Sequence, residues 1–221
     1  MVSTLKKLIL IISFICVLPI YAAQGYSYQI RVEQFNHVQL PCTATAISRY
    51  TFLTAAHCLE FLDLTNDIYI HVSDKRLAVE SIYIPMEYYE ASTLYGQSEG
   101  IEAMTAAHRQ AARFDIAIIN FKRLLPRSFR RVNLILNRTK EGSAVSITSG
   151  GIKRDLNLHN LDNEVYLVKG NNMDDPLTVS GDSGGPLFLR DTKSQIGVLR
   201  GSSATDTESA SIYTPIYLHQ R

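Results

Sequence analysis

Along much of this chain apolar side chains recur at every second position. Ile68, Ile70 and Val72 alternate with polar or half-polar neighbours, and Leu77 with Val79 and Ile82 with Ile84 continue the rhythm. The period returns at Val145 and Ile147, Val165 and Leu167, Ile196 and Val198, and along Ile212, Thr214, Ile216 and Leu218. Successive side chains of a strand point to opposite faces, so the alternation predicts half-buried strands. Gly, Asn, Asp and Ser clusters separate the runs, which predicts an antiparallel sandwich or barrel. Strands and helices do not alternate, which argues against a doubly wound α/β sheet.

Two stretches break the rhythm. Residues 101–113 hold five alanines among Glu, Met, Gln and Arg and predict a helix or helical loop. Residues 122–131, KRLLPRSFRR, carry five cations around Pro126 near the middle of the chain. They read as a solvated linker between two halves, with attraction to an acidic partner as the weaker alternative.

The start of the chain changes the accounting. Lys6 and Lys7 precede an apolar run from Leu8 to Leu18, and small residues around Ala22 and Ala23 follow. This is the pattern of a secretory signal peptide over residues 1–22, cleaved after Ala22 or Ala23. The run is too short to span a bilayer, so no stable membrane anchor is expected after cleavage. Cleavage removes two lysines, which takes the formal charge from +1 to −1. A chain so close to neutral lacks the basic excess that nucleic-acid binding requires. Cys16 leaves with the leader, so Cys42 and Cys58 remain, most simply as one disulfide in an exported protein. Two cysteines without a His-Cys cluster cannot complete a tetrahedral metal site.

Three short segments carry chemistry: Thr54-Ala55-Ala56-His57-Cys58, Phe114-Asp115-Ile116-Ala117-Ile118, and Gly181-Asp182-Ser183-Gly184-Gly185-Pro186. A serine hydroxyl is a poor nucleophile until a base takes its proton, and imidazole is suited to that task near neutral pH. A carboxylate then fixes the imidazole tautomer and stabilises the imidazolium. The six-residue serine segment is specific by itself, whereas an Asp in an apolar strand or a lone Gly-Asp-Ser-Gly would be ordinary; the set of three is what points to a triad. His37, His71, His108, His159 and His219 have no motif around them and read as structural or exposed.

Together the segments resemble the chymotrypsin-like (trypsin-like) serine proteases, in that family's order of His, Asp and Ser. The resemblance implies an all-β fold of two antiparallel β-barrels with the site in the cleft between them. The expected division is residues 23–126 for an N-terminal barrel with His57 and Asp115, and 127–221 for a C-terminal barrel with Ser183. It also implies a serine endopeptidase with His57 as general base, Asp115 as orienting acid and Ser183 as nucleophile. The N–H groups of Gly181 and Ser183 would form the oxyanion hole, which glycine-lined turns leave open to a substrate carbonyl. Cys42 and Cys58 match the family's disulfide beside the histidine. No metal or cofactor is implied, the partners are protein or peptide substrates, and the expected location is secreted or periplasmic. The sequence leaves the oligomeric state open.

The chain also departs from the family. No Ile-Val-Gly-Gly start exists to supply an amino group for Asp182, and Arg31-Val32 lacks the Gly-Gly of an activation site. Leu177, Gly201 and Ser211 are the expected substrate-binding residues. Leu177 stands where members that cut after Lys or Arg carry Asp, so an uncharged residue before the cut is expected. Leu199-Arg200-Gly201 replaces the usual Ser-Trp-Gly, which leaves open that Arg200 selects acidic residues instead. A non-catalytic binding module on the same scaffold is the alternative function. A lipase or esterase is disfavoured by its different nucleophile motif and chain order.

Overall fold

The computed structural model describes residues 26–35, 37–97, 99–149, 152–161, 164–170, 177–192, 194–204 and 209–219. The signal-peptide reading of residues 1–22 lies outside them. A first sheet holds β1 (Ser27–Gln34), β2 (His37–Val38), β3 (Cys42–Ala46), β4 (Thr51–Thr54), β5 (Tyr69–Val72), β6 (Lys75–Tyr83) and β7 (Ala117–Phe121). Its order is β2-β1-β3-β4-β7-β6-β5, and β1 also pairs with β5, so six antiparallel strands close into a barrel. A second sheet holds β8 (Asn133–Leu134), β9 (Ala144–Ser149), β10 (Ile152–Leu161), β11 (Val165–Lys169), β12 (Pro186–Leu189), β13 (Ser194–Ala204) and β14 (Ser209–Pro215). It closes through β12 and β13 into a second six-stranded antiparallel barrel, with β8 added in parallel at β13.

The alternation seen in the sequence is the burial pattern of these strands. Ile30 and Val32 of β1 point inward while Gln29 and Arg31 face solvent, and Ile70 and Val72 do the same in β5. The last run behaves differently. β14 ends at Pro215, and Ile216–His219 forms a 3₁₀ turn that buries Ile216.

Two helices interrupt the first barrel: α1 (Met86–Gln97) and α2 (Ile101–Phe114). Helix α2 follows the expectation for 101–113, burying Ala107 and Ala111 one turn apart. Helix α1 gives no periodic signal because it buries only Tyr88 and Ala91.

Phe52 anchors the first core. It is fully buried, with ring centroids 5.1 Å from Phe121, 5.9 Å from Tyr28 and 5.7 Å from Phe129. Phe129 comes from the basic segment, which is therefore more than a solvated linker. The Leu125 amide donates to the Arg49 carbonyl at 2.7 Å and the Val132 amide to that of Ala46 at 2.9 Å. Lys122, Arg123, Arg127, Arg130 and Arg131 stay exposed. The second core gathers Val145, Ile147, Leu158, Val168, Leu187 and Tyr213. A buried Thr45 hydroxyl donates to Gln195 Oε1 at 2.7 Å and joins the two barrels. Among the described residues no helix is long and apolar enough to cross a membrane.

Truncating Phe52 to Ala removes the ring around which three others pack. The expected cost is about 3–5 kcal/mol, read as a lower urea midpoint with unchanged slope. A loss under about 1 kcal/mol would show that the ring cluster is not the core of this barrel.

Candidate active site

His57 lies in the 3₁₀ turn Ala56–Cys58 that follows β4. The neighbouring Cys58 is bonded to Cys42 at the start of β3, which ties the turn to the barrel wall. Asp115 lies not within a strand, as the apolar residues around it suggest, but in the joint between α2 and β7. The end of α2 is held from the second barrel. The Thr214 hydroxyl donates to the Ala112 carbonyl at 2.7 Å, and His219 Nε2 donates to that of Arg113 at 2.9 Å.

The Asp115 side chain has no solvent exposure, so each of its oxygens needs a donor. Oδ1 accepts the His57 backbone N–H at 2.9 Å. Oδ2 accepts from His57 Nδ1 at 2.8 Å and from Arg200 Nη1 at 3.1 Å. Since an ionised carboxylate only accepts, Nδ1 carries the imidazole proton and Nε2 is left with its lone pair.

Burial opposes protonation of His57, but the hydrogen bond and charge of Asp115 outweigh it and hold the pKa above 6.5. The Arg200 charge pulls the other way, and Glu60 adds to the rise. His108 on α2 is lowered, by burial first and then by Arg200. Tyr88 donates its hydroxyl to Glu60, and burial pushes the phenol far above its ordinary range.

Ser183 lies in a glycine-rich turn whose shape is enforced by close packing. Gly181 and Gly184 have φ of +96° and +84°, in the left-handed region that favours glycine. A Cβ on Gly184 would meet the Thr43 carbonyl oxygen at 2.1 Å and Thr54 Oγ1 at 2.2 Å. The Thr43 amide donates to the Ser183 carbonyl at 2.7 Å and its hydroxyl to that of Gly181 at 2.8 Å. Asp182 accepts from the Ser149 hydroxyl and, at 2.8 Å, from the Val179 amide. Neither the Gly181 nor the Ser183 amide enters a backbone hydrogen bond with another described residue.

The three segments therefore meet around the disulfide. The Cys58 sulfur lies 3.9 Å from His57 Nε2 and 3.8 Å from the Ser183 carbonyl oxygen. Among the described residues no hydrogen bond joins the Ser183 hydroxyl to His57 Nε2. Such bonds often tighten only when substrate is bound. Cys42, His57 and Cys58 cluster closely enough to suggest a metal site, but both sulfurs are spent in the disulfide.

A cavity of about 240 Å³ opens beside His57, lined by His108, Arg200, Gly201, Ser202 and Ile212. Gly201 faces open space there, since an added Cβ would meet no atom within 4 Å. Leu177 and Ser211 are not among the residues lining it; they are 3% and 0% exposed, Leu177 within the second core, and the Ser211 and Thr178 hydroxyls lie 3.1 Å apart. A larger hollow of about 610 Å³ lies against β1 and β5, remote in sequence from all three segments.

A family model described as Trypsin matches residues 20–220. The chain belongs to the trypsin family. It is a serine-type endopeptidase by class, and its substrates are peptides. Among solved structures this trypsin-family chain is similar to kallikrein-related peptidase 10, at 15% identity and a TM-score of 0.57, over 86% of this chain and 89% of that one. The structure of kallikrein-related peptidase 10 in complex with Zn²⁺ matches at 15% identity and a TM-score of 0.58, with the same coverage. At that identity the likeness shows the fold. No curated protein sequence matches the chain.

Sequence reasoning did not foresee the partners that shape this protease's site. The pairing of Arg200 with Asp115 joins residues 85 positions apart, and Ser149 is 33 positions from Asp182. Neither belongs to a motif, so only the folded chain reveals them.

The raised pKa fixes the sign of the pH response. Protonated His57 cannot act as a base, so kcat/KM should rise with pH and level off, with its midpoint above the ordinary imidazole value of 6.5. The proton held by His57 stabilises the fold below about pH 6.5, and that contribution disappears as pH climbs through the folded-state value. A flat kcat/KM profile from about pH 5 to 9, with chemistry rate-limiting, would contradict the role of His57.

Proposed function

We propose that this endopeptidase cleaves peptide bonds with a triad of His57, Asp115 and Ser183, through an acyl-enzyme. The observation that carries the reading is the doubly bonded Asp115–His57 pair, which leaves Nε2 as a base on the side where the Ser183 turn is pinned. Ser183 Oγ attacks the scissile carbonyl carbon while Nε2 takes its proton. The oxyanion is held by the N–H groups of Gly181 and Ser183, which have no backbone partner among the described residues, in keeping with this role. His57 then returns the proton to the leaving amine. Water, deprotonated by His57, hydrolyses the ester and regenerates Ser183.

The primary specificity pocket is built from Leu177, Gly201 and Ser211. Leu177 supplies an apolar base, and the Thr178 and Ser211 hydroxyls face each other, so among these described residues no charge stands ready for a buried Lys or Arg. An uncharged residue before the cut follows, small or medium in size. Arg200 is engaged with Asp115, which counts against its use in selecting acidic residues.

Export to the cell exterior or periplasm fits the signal-like start and the disulfide. The proposed division remains a leader over 1–22, a barrel over 23–126 and a barrel over 127–221.

A fluorophosphonate probe should label the mature protein at Ser183 and fail on Ser183→Ala. That variant should lose several powers of ten in kcat, and Asp115→Asn about 10⁴-fold, through the wrong imidazole tautomer. Full turnover by folded Ser183→Ala would end the triad reading. In a peptide library varied before the scissile bond, small and medium uncharged residues should dominate. Dominant cleavage after Lys or Arg would mean that the pocket lies elsewhere.

A further inference from the structure

We propose that Arg200 is a positioning residue, whose guanidinium compensates the buried Asp115 charge and fixes the carboxylate orientation that His57 reads. The inference rests on the triad reading above and goes beyond its three members.

Three observations converge on it. The first is geometric. Arg200 Nη1 and His57 Nδ1 donate to the same oxygen, Asp115 Oδ2, at 3.1 and 2.8 Å. The second is the backbone that delivers the guanidinium. Leu199 pairs with Tyr213 and Gly201 with Ile212, so Arg200 is the extra residue of a β-bulge in β13. A bulge turns a side chain out of the regular alternation of a strand. Here the unpaired residue is the one aimed across the cleft at the carboxylate of the other barrel.

The third is energetic. Asp115 is fully buried and lies at the C-terminal end of the 14-residue helix α2. The partial negative charge of a helix C-terminus disfavours an anion, and burial disfavours any uncompensated charge. A neutral His57 supplies hydrogen bonds but no cation. Arg200, with its side chain only 15% exposed, is the positive charge paired with this carboxylate.

The arrangement has a cost and a benefit for the base. When His57 takes the serine proton, its imidazolium shares Asp115 with a second cation. Arg200 therefore opposes protonation of His57 and keeps the base free to more acidic pH. Among the described residues the charged and titratable groups around His57 are Asp115, Arg200, Glu60 and His108, with Tyr88 behind Glu60.

The test compares wild type with Arg200→Met, which keeps length and removes charge, and Arg200→Lys, which keeps charge and removes the planar fork. In Arg200→Met the acid-limb midpoint of kcat/KM should rise by about half a unit or more. Its kcat should fall about tenfold or more, with KM within about twofold of wild type. Arg200→Lys should return the midpoint toward wild type while recovering kcat only in part. If Arg200→Met does not fold, Arg200→Lys and Arg200→Gln carry the comparison.

The same shift should appear without turnover. NMR titration of the His57 ring in Ser183→Ala should give a lower midpoint than in Ser183→Ala with Arg200→Met. Should Ser183→Ala retain turnover, the triad reading falls, but this titration still decides the effect of Arg200. An unmoved His57 midpoint overturns the proposal, whether or not kcat falls. So does a change confined to KM for substrates with acidic residues, which would place Arg200 against the substrate instead.

Discussion

A carboxylate without access to water, at the negative end of a helix, is the constraint on which the site depends. Asp115 could not remain there on apolar packing alone. Its compensation is divided between the barrels. The first contributes the His57 backbone and ring, and the second contributes Arg200 from its bulge. Thr214 and His219 of the second barrel also occupy the last carbonyls of α2, so the helix end and the carboxylate are stabilised from the same side. The electrostatic balance at the site is thus complete only when the barrels are docked.

The nucleophile turn obeys a complementary rule, in which sterics dominate over charge. Gly184 passes so close to Thr43 and Thr54 that no side chain fits. Thr43 also grips the turn on both sides of Asp182. Asp182 finds its own donors in Ser149 and the Val179 amide. The Arg31–Val32 bond, weighed as an activation site, lies within β1, where Arg31 pairs with His71 and Val32 with Ile70 of β5. A protease would have to unravel the barrel to reach it.

What the sequence could reveal follows from range. Strands with one buried face announce themselves by alternation, as Ile70 and Val72 do, because the information is local. Three motifs of five or six residues sufficed to point to a fold and to the candidate residues, since each needs its neighbours for local geometric reasons. Helix α1 was illegible because it buries too little to show a period. The final strand was overread because Ile216 is buried by a 3₁₀ turn and not by a pleat. Arg200 was noticed as a departure, but its target lay beyond reach. A bulge shifts register by one residue, and alternation alone cannot say which way the extra side chain points.

Closure of both sheets has a consequence for behaviour at high concentration. A barrel has no open rim of unpaired amides, and among the described residues the strands left outside the two closed rings are β2 and β8, each two residues long. An edge so short offers another copy little to extend by strand addition, the usual nucleus of β-aggregation. Closure of the fourteen strands among the described residues thus disfavours edge-to-edge pairing between crowded copies.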